Sequence, residues 1–348
     1  MNRLVLPALL FLGCSSTALQ RHTPDAGSHE VGGSGDGVMA TGGVGGSDAG
    51  GVVASGGQSG NAGAGGMGVA GSGGSPASSV PSGAFLSVNV CDNGTTQVFA
   101  CGLKTDGTIA CWGYRDIGTP PTGTFTSVTA GASFACGLKV DGTVACWGDN
   151  VYGQADPPEG SFASVSAGAA DYACGIQTTG AIICWGDRRN PASSPPSGVF
   201  TSISTGFASA CGILADGTVA CWGDINQAQA SPPGTFISVA VGDTTACAVK
   251  SDDTIVCWGE DYWFNSGETT PPAGTFVSVS VGAATACGVN ADGTVVCWGG
   301  LGGGNQGDPP PEGIFASVSA GYPYACAVKK ADASIVCWNL PWKPLTGP

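Results

Sequence analysis

Seven times this chain spells a cysteine, nine or ten intervening residues, and then Cys-Trp. The pairs are Cys101/Cys111, Cys136/Cys146, Cys174/Cys184, Cys211/Cys221, Cys247/Cys257, Cys287/Cys297 and Cys326/Cys337. The tryptophans that follow, Trp112, Trp147, Trp185, Trp222, Trp258, Trp298 and Trp338, are 35, 38, 37, 36, 40 and 40 residues apart. A period of this size marks a solenoid, propeller or array, in which a single copy cannot bury its apolar surface alone.

Phe125 to Gln154 shows what one copy contains. Two short strand-like runs end in Ala130 and Ala135-Cys136, and a third carries Cys146-Trp147. Five- and six-residue runs of this kind predict strands, and no stretch has a helical stripe. Proline-rich connectors such as Pro157-Pro158, Pro195-Pro196 and Pro271-Pro272 separate the copies, because proline lacks the N–H needed to continue a sheet. If Cys136 faces Cys146, the loop is Val140-Asp141-Gly142, which suits a type I turn closed by a left-handed glycine. Counting back from Lys139/Thr143 puts the two cysteines on a non-hydrogen-bonded pair, about 4.5 Å apart at Cα and within reach of a disulfide. The last copy has one more residue, and a four-residue loop from Lys330 to Ala333 restores the same facing pair.

An export signal in front makes seven local disulfides the expected state. Reduced, buried cysteine pairs are the alternative. Zinc is disfavoured, since the spacing is wrong and both histidines, His22 and His29, precede the repeats. Cys91 is left over. It opens an insertion, Cys91 to Val98, where other copies have an Ala-Gly bend; of a free thiol, a site of intermolecular pairing and an inert residue, the last is expected because no base stands beside it.

Residues 1–14 read as that signal: Arg3 supplies the positive charge, and Leu4 to Leu12 form an apolar run too short to span a bilayer. Phe11-Leu12-Gly13-Cys14 resembles the lipobox of bacterial lipoproteins, which implies a lipid on Cys14, although Phe11 and Leu12 depart from the usual residues. Ser15-Ser16, with no aspartate after the cysteine, resembles outer-membrane sorting in Gram-negative bacteria. An ordinary secretory signal is the alternative. Residues 15–82 are rich in Gly, Ser and Ala and predict a disordered tether, with a span of roughly 40–50 Å. Residues 83–348 carry the repeats.

Both faces of each predicted sheet are apolar or small: Cys136, Leu138, Val144 and Cys146 on one, Gly137, Ala145 and Trp147 on the other. Such sheets must be sandwiched between like neighbours, and seven can do this by closing into a ring. The fold expected is all-β: a seven-bladed β-propeller of three- to four-stranded antiparallel blades. The pattern A-G-x-x-x-x-C-G-L-x-x-D-G-T-V-x-C-W-G, followed once by Asp149-Asn150-Val151-Tyr152-Gly153-Gln154, resembles the regulator of chromosome condensation repeat. The copies are short and look more like its bacterial secreted branch, which includes a β-lactamase inhibitory protein. Family members usually carry a histidine two positions before the second-strand cysteine. Here Phe99, Phe134, Tyr172, Ser209, Thr245, Thr285 and Tyr324 stand there.

Function is less legible. The formal charge of −14 and the absence of a basic cluster argue against nucleic acid. The repeat region has no histidine, which removes Ser-His-Asp and Cys-His nucleophiles. A non-enzyme without cofactor or metal is therefore expected. A hydrolase or lyase using carboxylates such as Asp187, Asp224, Glu260 and Asp261 is the alternative. Asp106, Asp141, Asp216 and Asp292 are better read as turn residues. Nucleotide exchange, implied by the family's namesake, needs a cytoplasmic partner, and β-lactamase inhibition rests on family analogy alone. The variable loops after Cys-Trp-Gly hold the candidate partner-binding residues: Tyr114, Arg115, Tyr152, Arg188, Arg189, Tyr262, Trp263 and Phe264. These aromatics could equally fold back to cover blade edges. The expectation is a monomeric envelope lipoprotein, touching membrane only through its anchor and binding a protein or glycan.

Overall fold

The computed structural model describes residues 80–91, 99–113, 116–224, 231–260, 267–300, 309–321 and 324–339, all within one compact unit. The signal, Cys14 and the proposed tether as far as residue 79 lie outside the described residues. Seven antiparallel sheets, each of three strands, follow one another along the chain, and each is made from one sequence repeat. They are called blades 1 to 7: Phe85–Gly113, Phe125–Gly148, Phe162–Gly186, Phe200–Gly223, Phe236–Gly259, Phe276–Gly299 and Phe315–Asn339.

In blade 2 the strands are Phe125–Ala130, Phe134–Lys139 and Val144–Gly148. The hairpin closes when Lys139 N–H donates to Thr143 C=O at 2.8 Å and Gly142 N–H to Lys139 C=O at 3.0 Å. Gly142 takes a left-handed φ of 83°. Cys136 then lies opposite Cys146, their Cα atoms 4.0 Å apart and their sulfurs bonded. Six further hairpins repeat the bridge: Cys101–Cys111, Cys174–Cys184, Cys211–Cys221, Cys247–Cys257, Cys287–Cys297 and Cys326–Cys337. In blade 7, Ala333 supplies the left-handed residue of the longer loop, and Cys326 still faces Cys337.

The alternative of reduced pairs, buried as small filler, is set aside by these bonds. Its premise of burial also fails for one member of each pair. The third-strand cysteines Cys111, Cys146, Cys184, Cys221, Cys257, Cys297 and Cys337 are only partly buried, whereas their second-strand partners are buried. The second strand is central in its sheet and the third is an edge strand. An edge strand lacks a neighbour on one side, so its cysteine keeps some access to solvent.

Asp141 Oδ1 accepts from the amide and hydroxyl of Thr143 at 2.9 and 2.7 Å. Asp106, Asp216, Asp252, Asp292 and Asp332 make the same pair of bonds to the residue two positions on. These donors favour the carboxylate and hold all six acids below their usual range. A depressed pKa contributes stability above the unfolded value, near 4, that is lost as pH falls through the folded values. The melting temperature should therefore be insensitive to these turns above about pH 4 and decline below it. A thermal-unfolding series from neutral to acid pH checks this, and a rise on acidification would contradict it.

Seven buried clusters form seven seams. At the first, Phe99, Cys101, Leu103, Ile109 and Cys111 of blade 1 meet Phe125, Val128, Ala135 and Trp147 of blade 2. The same arrangement joins each later pair. The last seam sets Cys326, Val328 and Cys337 of blade 7 against Phe85, Val88 and Trp112 of blade 1. Among the described residues the ring is thus closed by packing, with no strand exchanged between its ends. Within a blade the first-strand phenylalanine meets the third-strand tryptophan, as in Phe162–Trp185 at 6.1 Å between ring centroids. The phenylalanine also lies over a glycine: a Cβ on Gly137 would come within 2.5 Å of the Phe125 ring.

A second closure device runs around the innermost strands. Each has an edge with no strand beside it, whose N–H groups need acceptors. Side chains of the preceding blade supply them: Asn89 to Ala130 N–H, Thr129 to Ala167, Ser166 to Thr205, Ser204 to Val241, Ser280 to Ala320 and Ser319 to Val90, at 2.8–3.1 Å. At the seam of blades 5 and 6 the equivalent residue is Ala240. Ala240→Ser should therefore slow hydrogen exchange at the Val281 amide and stabilise the ring by about 0.5–1.5 kcal/mol, the usual net value of one such bond. Unchanged exchange at Val281 would contradict this role.

One expectation needs correction. Cys91 ends the first strand of blade 1, is fully buried and is disulfide-bonded rather than an inert thiol. The absence of a base governs thiolate reactivity, whereas bridging needs only a second sulfur in reach.

Candidate functional site

Strand direction sorts the ring into two ends. The hairpin turns lie at one, and the bends between first and second strands, with the loops after each tryptophan, lie at the other. The turn end exposes Leu86, Val140, Val199, Ile237, Val277 and Ile314, on six different blades. Among the described large apolar residues, the loop end exposes Val151 and Tyr152. Of the candidate binding residues, Tyr114, Arg115, Tyr262, Trp263 and Phe264 lie outside the described residues. Tyr152, Arg188 and Arg189 are described, and two of them meet at the seam of blades 2 and 3.

The loop after blade 2 is clamped from both ends. Asn150 Oδ1 accepts from Ala155 N–H at 2.9 Å, and Gly153 N–H donates to Asn150 C=O at 3.2 Å. Gln154 is fully buried, its Oε1 accepts from Tyr152 N–H at 2.8 Å, and its carbonyl accepts from Trp185 Nε1 of blade 3 at 3.1 Å. Val151 and Tyr152 are thereby held out at the tip, 74% and 44% exposed.

The loop after blade 3 comes to meet it. Arg189 Nε and Nη2 donate to Asp187 Oδ1 and Oδ2, both at 2.9 Å. Its guanidinium carbon stands 4.8 Å from the centre of the Tyr152 ring, a cation–π contact. The Arg189 bonds hold the Asp187 carboxyl below its usual range, and the pairing in turn favours the charged guanidinium. Asn190 fixes the far side of this loop, donating from Nδ2 to Phe207 C=O and accepting from Ala192 N–H, both at 2.9 Å. Trp222 Nε1 of blade 4 donates to Ala192 C=O at 2.8 Å.

Asp171 completes the seam. Its Oδ1 accepts from Ser133 Oγ at 2.8 Å and from Gln154 Nε2 at 3.4 Å, and its carbonyl accepts from Asp187 N–H at 2.9 Å. Asp171 has a left-handed φ of 54°, uncommon outside glycine though best tolerated by Asp and Asn. It sits in a bend one residue longer than that of blade 2, Gly168-Ala169-Ala170-Asp171-Tyr172 against Gly131-Ala132-Ser133-Phe134. That extra residue was the available signal for Asp171. Gln154 and Asp187 could be placed in loops from sequence, but their partners could not.

Chemically, the seam offers a rigid aromatic and guanidinium surface and no free acid pair. Both oxygens of Asp187 are committed to Arg189. The turn acids are at the opposite end, each bonded to its own turn. At the position of the family histidine, Tyr172 is fully buried and its hydroxyl donates toward the carbonyls of Gly206 and Ser209, at 3.2 and 3.0 Å. Burial raises its pKa and keeps it neutral. It therefore fills space against blade 4 rather than serving as an exposed acid or base.

These features define a closed ring of single-repeat blades, stapled inside each hairpin and packed face to face. The family model described as the regulator of chromosome condensation (RCC1) repeat matches residues 125–154, blade 2 with its following loop. The chain is an RCC1-like β-propeller. No curated protein sequence matches it. Among solved structures it is similar to the ectodomain of the receptor kinase CR4 from Physcomitrella patens, with 25% identity over 74% of this chain and 73% of that one, TM-score 0.62. The CRINKLY WD40 ectodomain of the Arabidopsis thaliana receptor kinase ACR4 is similar at 26% identity, covering 74% and 96%, TM-score 0.61. Yeast RCC1 (Prp20), solved with Kap60, shares the fold at 15% identity, covering 62% and 70%, TM-score 0.50. Seven hairpin disulfides suit an extracellular or otherwise oxidising environment. No helix among the described residues is long and apolar enough to cross a membrane.

Proposed function

We propose that the protein is a cell-envelope lipoprotein whose propeller is a binding module for a protein or glycan, with the loop end as its working face. The observation that carries this reading is the exposed Tyr152 ring, held by Arg189 across the seam of two blades while Arg189 is itself held by Asp187. Rigid, exposed Tyr and Arg side chains are the residues that dominate binding energy at interfaces, and prior ordering lowers the entropy cost of association. The likeness to two receptor-kinase ectodomains supports display outside a membrane. Tyr114, Arg115, Tyr262, Trp263 and Phe264 belong to the same set of loops and are proposed to extend the face.

Anchoring is proposed through Cys14, with residues 15–82 as the tether and the Gram-negative outer membrane as the destination. Outside the hairpin pairs the sequence holds two cysteines, Cys14 and Cys91. A lipid thioether on Cys14 removes it as a disulfide partner, so in the anchored protein the Cys91 bridge is proposed to run to a thiol of another molecule. Mass spectrometry of the mature protein should find Cys14 at the amino terminus carrying acyl chains. An unmodified Cys14, or cleavage elsewhere, would remove the anchor but leave the binding module.

The module is tested by capturing proteins and glycans from envelope extracts with the secreted chain and with Tyr152→Ala/Arg188→Ala. Hot-spot losses of about 2 kcal/mol or more predict that the double variant retains less than a tenth of the affinity. Equal capture by the two would remove this face. The Asp187–Arg189 clamp has a depressed carboxylate pKa, so binding should hold from neutral pH down to the ordinary carboxylate range and fail below it.

A further inference from the structure

Resting on that reading of the loop end, we propose that the seam of blades 2 and 3 recognises a single carboxylate set beside an apolar side chain on a protein partner. The argument starts from which donors remain. Asp187 engages Arg189 side-on, through Nε and Nη2. A guanidinium has five N–H donors in a fixed plane, so the edge formed by Nη1 and the second hydrogen of Nη2 is not used by Asp187, and the Tyr152 hydroxyl is the one other side-chain group that acts on this guanidinium. That edge is a fork matched to a carboxylate. The Arg189 side chain is 73% exposed although its plane is fixed by Asp187 and by Tyr152, so the fork is held in place before any ligand arrives.

Arg188 supplies the balancing charge. It is exposed, and among the described residues its side chain has no hydrogen bond or ion pair; its carbonyl alone accepts, from Ser193 Oγ. Asp187 neutralises one of two adjacent guanidinium groups and leaves the other uncompensated. The Tyr152 ring lies against the neighbouring Arg189, and the aliphatic Val151 precedes it at the same exposed loop tip. An exposed valine has little to offer a hydrated sugar, whereas it suits an apolar side chain of a peptide. The formal charge of −14 repels polyanions at long range. It selects for one carboxylate beside an apolar group and against acidic runs, nucleic acids and polyuronates.

The test is a ¹⁵N NMR titration of the whole secreted chain with three probes: acetyl-Leu-Glu-amide, acetyl-Leu-Gln-amide and methyl glucuronide. The glutamate peptide should shift the Arg188 and Arg189 Nε–H resonances saturably, with a dissociation constant in the millimolar range. The glutamine peptide should bind at least tenfold more weakly to the wild type, and so should the glutamate peptide to Arg188→Gln. Arg189→Lys, which keeps the charge and loses the fork, should weaken it as well, while Val140→Ser at the opposite end should not. Equal binding of the two peptides, or no saturable shift with glutamate, overturns the proposal. Glucuronide binding as tightly as the glutamate peptide overturns the assignment to a protein ligand. If a captured partner is lost with Tyr152→Ala but kept by Arg188→Gln and Arg189→Gln, carboxylate recognition fails while the binding module stands. If Tyr152→Ala keeps it too, the module reading fails as well.

Discussion

Replacing Gly206 with alanine should cost the ring several kcal/mol, more than removing any single contact at its surface. The glycines that follow the first strands form a collar at the loop end. Each packs against the carbonyl of the next: a Cβ on Gly131 would stand 2.8 Å from Gly168 O, and one on Gly206 or Gly242 would clash outright with Gly242 O or Gly282 O. These contacts involve backbone on both sides, so no side chain can rotate away. The neighbouring blade would have to shift, and its carbonyl bonds would shift with it. Overpacking of a dense interior costs typically 1–3 kcal/mol, and a clash with main chain falls at or beyond the upper end. Gly153→Ala is the control, because Gly153 has a left-handed φ of 79° and open space around its missing Cβ. It should show only the smaller backbone penalty, about 1 kcal/mol. Chemical denaturation of the two variants measures the difference, and similar midpoints would show that the collar is not tight.

Full reduction of the hairpin disulfides should unfold the propeller at neutral pH without denaturant. By loop-closure entropy each bridge, spanning a separation of 10 or 11 residues, contributes roughly 2–3 kcal/mol. Seven together, about 14–21 kcal/mol if additive, match or exceed the roughly 5–15 kcal/mol by which a typical domain is stable. Hydrophobic compensation is limited, because the cysteines are part of the seams they staple: Cys101, Cys136, Cys174, Cys211, Cys247 and Cys287 are fully buried, and Cys184, Cys221, Cys257 and Cys297 pack against the same clusters from the third strands. Loss of the β signal in circular dichroism on reduction is the expected result. A reduced chain that keeps its native melting temperature would mean that the seams alone carry the fold. Removing one bridge, as in Cys136→Ala/Cys146→Ala, should weaken the ring without unfolding it.

The fold was legible because it is written seven times. One Asp-Gly turn fixes a register, the register puts Cys136 opposite Cys146, and the two apolar faces leave stacking as the way to bury both. The number of strands per blade was left open, and three are found. How the ends meet was not legible, since Asn89, Thr129 and Ser166 look like ordinary polar strand residues until the neighbouring blade places an N–H against each. The candidate site was readable only in part. Aromatic and arginine residues in unequal loops named Tyr152 and Arg189 separately, but their meeting depends on Gln154 being buried and on the longer bend at Asp171. Both are consequences of packing between repeats, which the spacing within a repeat does not encode.

The loop end is most directly tested by site-specific photo-crosslinking in intact cells. A photoreactive residue at Val151 and another at Val140 would sit on opposite ends of the same blade and its following loop, with comparable exposure of 74% and 68%. A discrete adduct from position 151, absent from 140 and suppressed by Arg188→Ala, is the result expected of a binding module that works through its loops. Adducts of equal yield from both positions, or from 140 alone, would contradict it.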